Sequence, residues 1–101
     1  MSEFLNILTK MTETRKARQL WTSAHKDWVI DTAYVFDREW PIEIAVAHPD
    51  YNYGNWIIID FAENEEEARL KHRLWEDNLF GKLEPLFLYD ISEDREYERK
   101  K

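Results

Sequence analysis

The pattern of hydrophobic and polar positions predicts three β-strands in the middle of the chain. A period-two pattern runs from Trp28 to Phe36 and a second from Ile42 to Ala47, and an isoleucine-rich apolar run from Trp56 to Phe61 indicates the third strand. Polar residues typical of turns separate them, so consecutive strands are expected to pair antiparallel as a meander. The nearly continuous apolar run of the third strand predicts a central position, covered on both faces.

The apolar period changes from two to about 3.6 after the third strand, which predicts a helix over residues 64–80. Asn64 is a candidate N-cap, and the three glutamates after it oppose the positive end of the helix dipole. Gly81 is the expected C-terminal stop. One face of this helix collects the residues expected to pack on the sheet: Ala68, His72, Trp75 and Leu79.

The two ends of the chain have weaker patterns. Residues 3–21 are predicted to form an N-terminal amphipathic helix, either continuous or broken near Thr12. Its apolar positions are Phe4, Ile7, Leu8 and Met11, resumed by Leu20 and Trp21. Residues 86–91 predict a fourth short strand or an extended wrap, and residues 92–101 a charged tail that frays.

Together these elements predict one α+β domain over residues 1–91. We expect an antiparallel three- to four-stranded meander, one helix packed on a face, and the N-terminal amphipathic helix docked on the sheet or projecting to a neighbour. With 101 residues, 44% hydrophobic and 15% aromatic, the chain can bury one core. The residues expected in that core are Trp28, Ile30, Tyr34, Ile44, Val46, Ile57, Ile59, Ala68, Trp75 and Leu79.

Candidate chemistry is sparse. The chain has no cysteine, which excludes disulfides, a thiolate nucleophile and cysteine-ligated zinc. The three histidines, His25, His48 and His72, are not spaced as metal ligands, so no metal or cofactor is expected. Asp31, Glu43 and Asp60 lie within strand patterns and are expected to face solvent. With no phosphate loop or nucleophile elbow either, the sequence predicts a protein that is not an enzyme.

The net charge and the length of the apolar runs indicate whether the chain binds nucleic acid or a membrane. The formal net charge is −7, although residues 1–26 carry five basic residues against two acidic ones. The strongly acidic remainder disfavours nucleic acid as a partner. The chain shows no secretory signal pattern, and no apolar run approaches the ~20 residues that span a membrane. We therefore expect a cytoplasmic protein without a membrane partner.

The polar loop between the second and third strands contains two tyrosines. Exposed aromatic side chains on a loop are typical of protein-binding surfaces, which makes the loop a candidate partner surface. The candidate residues are Asp50, Tyr51, Tyr53 and Asn55. In the alternative interpretation, Trp56 belongs to the core and the tyrosines pack over an edge of the sheet. The sequence leaves both interpretations open.

The segment from Trp28 to about Ile91 resembles a family of small uncharacterised proteins encoded by tailed bacteriophages and prophages. The resemblance is carried by Glu-Ile-Ala-Val at residues 43–46, an Ala-x-x-x-His motif at residues 68–72, and Trp75 three positions later. Lys71 departs from the family pattern, which has glycine before the histidine. The resemblance implies a strand–strand–strand–helix order and a bacteriophage context, and it assigns no role to any residue.

In that context we expect a small accessory protein that acts by binding another protein, such as a host factor or a component of a defence system. One alternative is a minor virion or assembly protein, in which the helix with Phe4, Ile7, Leu8 and Met11 mediates symmetric assembly. Another alternative is an oligomeric sponge for a small molecule such as a nucleotide. A host or phage protein is the expected partner, and a homo-oligomer remains an option.

Overall fold

The computed structural model describes residues 17–36, 38–81 and 85–100. The larger sheet contains β1 (Ala17–His25), β2 (Trp28–Val35), β3 (Ile42–Ala47) and β4 (Ile57–Ala62). A helix, α1 (Glu65–Gly81), follows, and β5 (Phe87–Asp90) and β6 (Arg95–Glu98) form a second sheet. A short 3₁₀ turn, Asn52–Gly54, precedes β4. The predicted α+β class is confirmed.

The larger sheet is an antiparallel meander in the order β1-β2-β3-β4, and α1 packs against one of its faces. The three predicted strands are present, with bounds that differ by at most one residue. The central strands are β2 and β3. The prediction that the isoleucine-rich strand is central is wrong, because β4 lies at an edge of the sheet and owes its burial to other elements packed against it.

The predicted helix over residues 3–21 is wrong at its C-terminal end. Leu20 and Trp21 lie in β1, which pairs with β2 along its whole length and has a bulge after Gln19. Two adjacent apolar residues fit a helix or a strand equally well, and pairing with β2 decides between them. The remainder of that helix, including Phe4, Ile7, Leu8 and Met11, lies outside the described residues.

The C-terminal segment is more ordered than the sequence predicts. β5 pairs with β6 in a separate two-stranded sheet instead of joining the meander, and residues 95–98 form a strand within the predicted tail. Tyr97 is buried opposite Leu88, while the charged residues on either side of it are exposed. Burial of this one ring explains why a charged segment adopts a strand.

The main core lies between α1, the sheet and the β5–β6 hairpin. It consists of Trp28, Ile30, Ile44, Val46, Tyr51, Ile57, Ile59, Leu79, Leu88 and Tyr97. The predicted core residues are buried except Tyr34 and Trp75, which are partly buried. No helix within residues 17–36, 38–81 and 85–100 is long and apolar enough to cross a membrane.

Polar side chains cap the start of α1 and join the helix to the sheet. The backbone N–H of Glu67 donates to the side-chain oxygen of Asn64 at 2.9 Å, which confirms the predicted N-cap. Further along, Trp75 Nε1 and Lys71 Nζ donate to the two carboxylate oxygens of Asp60 at 3.0 and 3.3 Å. Asp60 therefore joins β4 to the helix. The helix ends at Gly81.

Two acidic residues expected to face solvent are buried on the sheet face opposite α1. Asp31 accepts hydrogen bonds from Gln19 Nε2 at 2.7 Å and from Thr22 Oγ1 at 2.9 Å. Glu43 lies with one carboxylate oxygen 3.5 Å from Arg38 Nε. The expectation of alternating exposure is wrong here, because both faces of β2 and β3 are buried.

Candidate functional site

An apolar groove of about 400 Å³ lies between α1 and β5, next to β4. It is lined by Ile59, Trp75, Asn78, Leu79, Pro85, Phe87, Leu88 and Tyr89. Of the described residues in this lining, Asn78 is the only one with a polar side chain that is not aromatic. A concave apolar surface with few polar groups is a common form of binding site.

The alternation along β5 places aromatic side chains over this groove. Leu88 and Asp90 point into the protein and are buried, whereas Phe87 and Tyr89 retain 50% and 43% of their surface exposed. Leu86, just before the strand, is 82% exposed. Half-exposed rings at the edge of a pocket can bury their remaining area against a partner, which is how aromatic anchors contribute to protein interfaces.

Acidic residues of β6 border the same aromatic side chains. Glu98 pairs directly with Phe87, and Glu96 pairs directly with Tyr89. Side chains of directly paired residues lie on the same face of a sheet, and both glutamates are exposed. This face of the β5–β6 sheet therefore presents an apolar strip next to a row of carboxylates.

The carboxylate of Asp90 fixes the β5–β6 hairpin and joins it to β4. One oxygen accepts hydrogen bonds from the N–H and the hydroxyl of Ser92, at 2.8 and 2.7 Å, and from the N–H of Glu93 at 3.0 Å. The other accepts from the N–H of Ile58 at 3.2 Å, and Ile91 N–H donates to the Ile58 carbonyl at 2.8 Å. The groove consequently has a rigid wall.

Tyr51 lies inside the core. It is fully buried, its ring centroid is 5.4 Å from that of Trp28 and 5.3 Å from that of His48, and its hydroxyl donates to the Pro85 carbonyl. The prediction of Tyr51 as an exposed partner-binding residue is wrong, and for this ring the core interpretation of the loop is confirmed. The Tyr51 hydroxyl thereby joins the loop to Pro85, which is one of the residues that line the groove.

The other loop candidates lie at the surface beside the end of β6. Tyr53 is 80% exposed, and Lys100 Nζ donates to its hydroxyl at 2.8 Å while lying 3.9 Å from its ring centroid. The hydrogen bond from this ammonium lowers the pKa of Tyr53. Arg99 Nε lies 3.4 Å from a carboxylate oxygen of Asp50, and Asn55 is exposed. The structure therefore leaves Asp50, Tyr53 and Asn55 available and removes Tyr51 from the set.

A polar cluster joins β1, β2 and α1 around the buried His72. Its Nε2 lies 2.8 Å from Ser23 Oγ, and its Nδ1 lies 2.6 Å from Thr32 Oγ1. Ser23 also donates to the carboxylate of Glu76. Because Ser23 has a single proton and directs it to Glu76, its oxygen accepts from Nε2–H, which leaves Nδ1 to accept from Thr32.

Both ring nitrogens of His72 are bonded in this cluster. Burial lowers the pKa of His72, against the opposing influence of the carboxylates of Glu76 and Asp31, and the lowered pKa favours the neutral imidazole. In the tautomer that these contacts favour, Nε2–H donates to Ser23, and the cluster joins β1 to α1.

A small concavity of about 190 Å³ opens beside this cluster. It is lined by Trp21, Ser23, Arg69, His72, Arg73 and Glu76. The guanidinium of Arg69 lies 5.2 Å from the ring centroid of Trp21, a cation–π distance. Within the described parts of the chain, no group of three or more histidine, aspartate and glutamate side chains is placed to hold a metal ion.

The groove rings Phe87 and Tyr89 were not among the predicted site residues. The apolar run at residues 86–89 indicates a strand, but the register with β6 is required to show which rings face outward. The Ser23–His72 contact has no local signal, because 49 positions separate its members.

Comparison of the chain with protein-family models, with curated proteins and with solved structures found no match. The resemblance to bacteriophage proteins therefore rests on the sequence pattern alone.

Proposed function

We propose that this chain acts without catalysis, by binding a partner protein in the groove between α1 and β5. The observation that carries the proposal is the pair of half-exposed rings, Phe87 and Tyr89, above an apolar groove whose wall is fixed by Asp90. A rigid aromatic surface loses little conformational entropy on binding, which favours its use as an anchor.

The lining of the groove and the carboxylates beside it indicate which side chains a partner segment would carry. Its apolar lining accommodates two or three apolar side chains, and the carboxylates of Glu96 and Glu98 favour lysine or arginine next to them. The net charge of −7 acts in the same direction at longer range. The resemblance to small bacteriophage proteins supports a host or phage protein as the source of this segment.

The loop with Asp50, Tyr53 and Asn55 is a second candidate surface. Tyr53 supports it, because the ring is largely exposed and its backbone is held in the left-handed region at φ 55°. A side chain of this size seldom adopts that conformation, and such strain is often found at binding sites. Lys100 already covers part of the ring, so the groove is the stronger candidate.

The test begins with affinity capture from bacterial lysate and identification of the captured protein, followed by titration of the purified pair. The double variant Phe87→Ser, Tyr89→Ser is expected to weaken binding at least tenfold, about 1.4 kcal/mol. Leu70→Ser is the matched control, because Leu70 is an exposed apolar residue of α1 that does not line the groove. Glu96→Lys with Glu98→Lys is expected to slow association with a basic partner.

Equal affinity of the double variant and the original chain would refute binding in the groove. Loss of binding on Tyr53→Ala alone would instead assign the partner to the loop. Thermal unfolding of every variant is needed to show that lost affinity does not reflect lost structure.

A further inference from the structure

Among the described residues, β1 has a neighbouring strand on one side only. β1 is the first strand in the sheet order, and its nine residues, Ala17–His25, make no backbone hydrogen bond on that side to any residue that the structure describes. Alternate residues of an edge strand direct their N–H and C=O groups outward, where a further strand can bind them. The bulge after Gln19 leaves Trp21–His25 as a regular ladder.

The small concavity described above lies at this edge, on the α1 side. Trp21 and Ser23 pair with Thr32 and Ile30, whose side chains face α1, so both residues direct their side chains to that same face. A strand added beside β1 would place every second side chain on this face. One of those side chains would lie over the concavity of about 190 Å³.

Two arginines, Arg69 and Arg73, line the concavity. Arg69 and Arg73 are exposed, lie one helical turn apart on α1, and form no ion pair with any acidic residue in the described parts of the chain. Glu76 also lines the concavity, where its carboxylate accepts a hydrogen bond from Ser23. The two guanidinium groups outnumber this one carboxylate in the lining, so the place is locally cationic in a chain with a net charge of −7.

We propose that β1 binds an extended segment of a partner protein by strand addition, and that an aspartate or glutamate of this segment enters the concavity between Arg69 and Arg73. In this mode of recognition the backbone supplies affinity and the side-chain pocket supplies selectivity. A second copy of the chain fits less well, because Ala17–His25 contains no acidic residue to meet the arginines. This site is at the opposite end of the sheet from the groove and does not depend on it.

The probe is an acetylated and amidated octapeptide that alternates valine and glutamate, titrated into the full chain and followed by backbone amide NMR. It is expected to shift and protect amides of β1. The matched peptide with glutamine in place of glutamate is expected to bind at least tenfold more weakly, and salt is expected to weaken only the glutamate peptide. A version N-methylated at alternate residues keeps the side chains, blocks strand pairing and is expected to lose binding.

The double variant Arg69→Ala, Arg73→Ala is expected to reduce affinity for the glutamate peptide to that of the glutamine peptide. Lys26→Ala, an exposed cation in the turn after β1, is the control for general charge attraction and is expected to change affinity less than twofold. Equal binding of the two peptides, no binding at 1 mM peptide, or amide shifts confined to β5 would each overturn the proposal. A dimer of the free chain with protected β1 amides would overturn it in favour of a second copy.

Discussion

At the β4 end of the sheet, the backbone N–H and C=O of Ile58 are bonded to Asp90 and Ile91 of the β5–β6 hairpin, and the three isoleucines that begin the strand are buried. At the β1 end, no described residue bonds to the outer backbone. β1 is held instead by β2 on one side and by side-chain contacts with α1, chiefly the Ser23–His72–Glu76 network.

The comparison shows that two edges of one sheet can be stabilised by different physical means. The β4 edge is covered by apolar packing and by the hydrogen-bonded carboxylate of Asp90. The β1 end is joined to α1 through the buried imidazole of His72, whose pKa is lowered by burial. We therefore expect the two ends to differ in their response to mutation and to pH.

The largest expected effect on stability is at the β4 end of the sheet, which the β5–β6 hairpin covers. Tyr51→Ala removes a fully buried ring from the main core and the hydrogen bond to Pro85, and it is expected to lower the free energy of unfolding by about 3–5 kcal/mol. Tyr53→Ala, two residues away and exposed, is expected to leave chemical denaturation unchanged. Similar losses for both variants would mean that the loop, rather than the ring beneath it, stabilises this end.

A smaller effect is expected from Asp90→Ala. The substitution removes the acceptor for four donors and leaves the buried N–H of Ile58 without its partner, so we expect a loss of about 2–3 kcal/mol in urea denaturation. The matched control is Asp77→Ala on the exposed surface of α1, for which less than about 0.5 kcal/mol is expected. If the two variants proved equally stable, Asp90 would not be what closes the β4 edge.

The smallest expected effect is the pH dependence of stability that His72 contributes at the β1 end of the sheet. Because burial lowers the pKa of His72 in the folded protein, the unfolded chain binds a proton near pH 6.5 that the folded chain rejects. Stability is therefore expected to fall as the pH decreases below about 6.5, by at most about 1.4 kcal/mol per pH unit, until the folded protein is protonated as well.

The measurement is urea denaturation at several pH values between about 5 and 8 for the original chain and for His72→Gln. The variant is expected to be less stable at pH 7.5 and to lack the additional loss at low pH, and the difference between the two curves removes the contributions that the two proteins share. Parallel curves would show that His72 is not the pH-sensitive contact of the β1 end.

The sequence by itself determined the elements whose signal is local. The alternation in residues 28–35 and 42–47 and the isoleucines of residues 57–59 correctly predicted β2, β3 and β4, because a strand that buries one or both faces must show it in its own residues. Asn64 and the glutamates after it correctly marked the start of α1. These features need no information about distant parts of the chain.

Tertiary structure decided the features that depend on pairing. The predicted helix over residues 3–21 overlaps residues 17–21 of β1, because the polar residues there conceal the period-two pattern. Only pairing with β2 defines this strand. The position of β4 at an edge, the burial of Tyr51 instead of Tyr53, and the outward rings of β5 were set by contacts between residues far apart in sequence. A local pattern gives the period of an element, but the partner that covers each face is chosen by the packing of the whole chain.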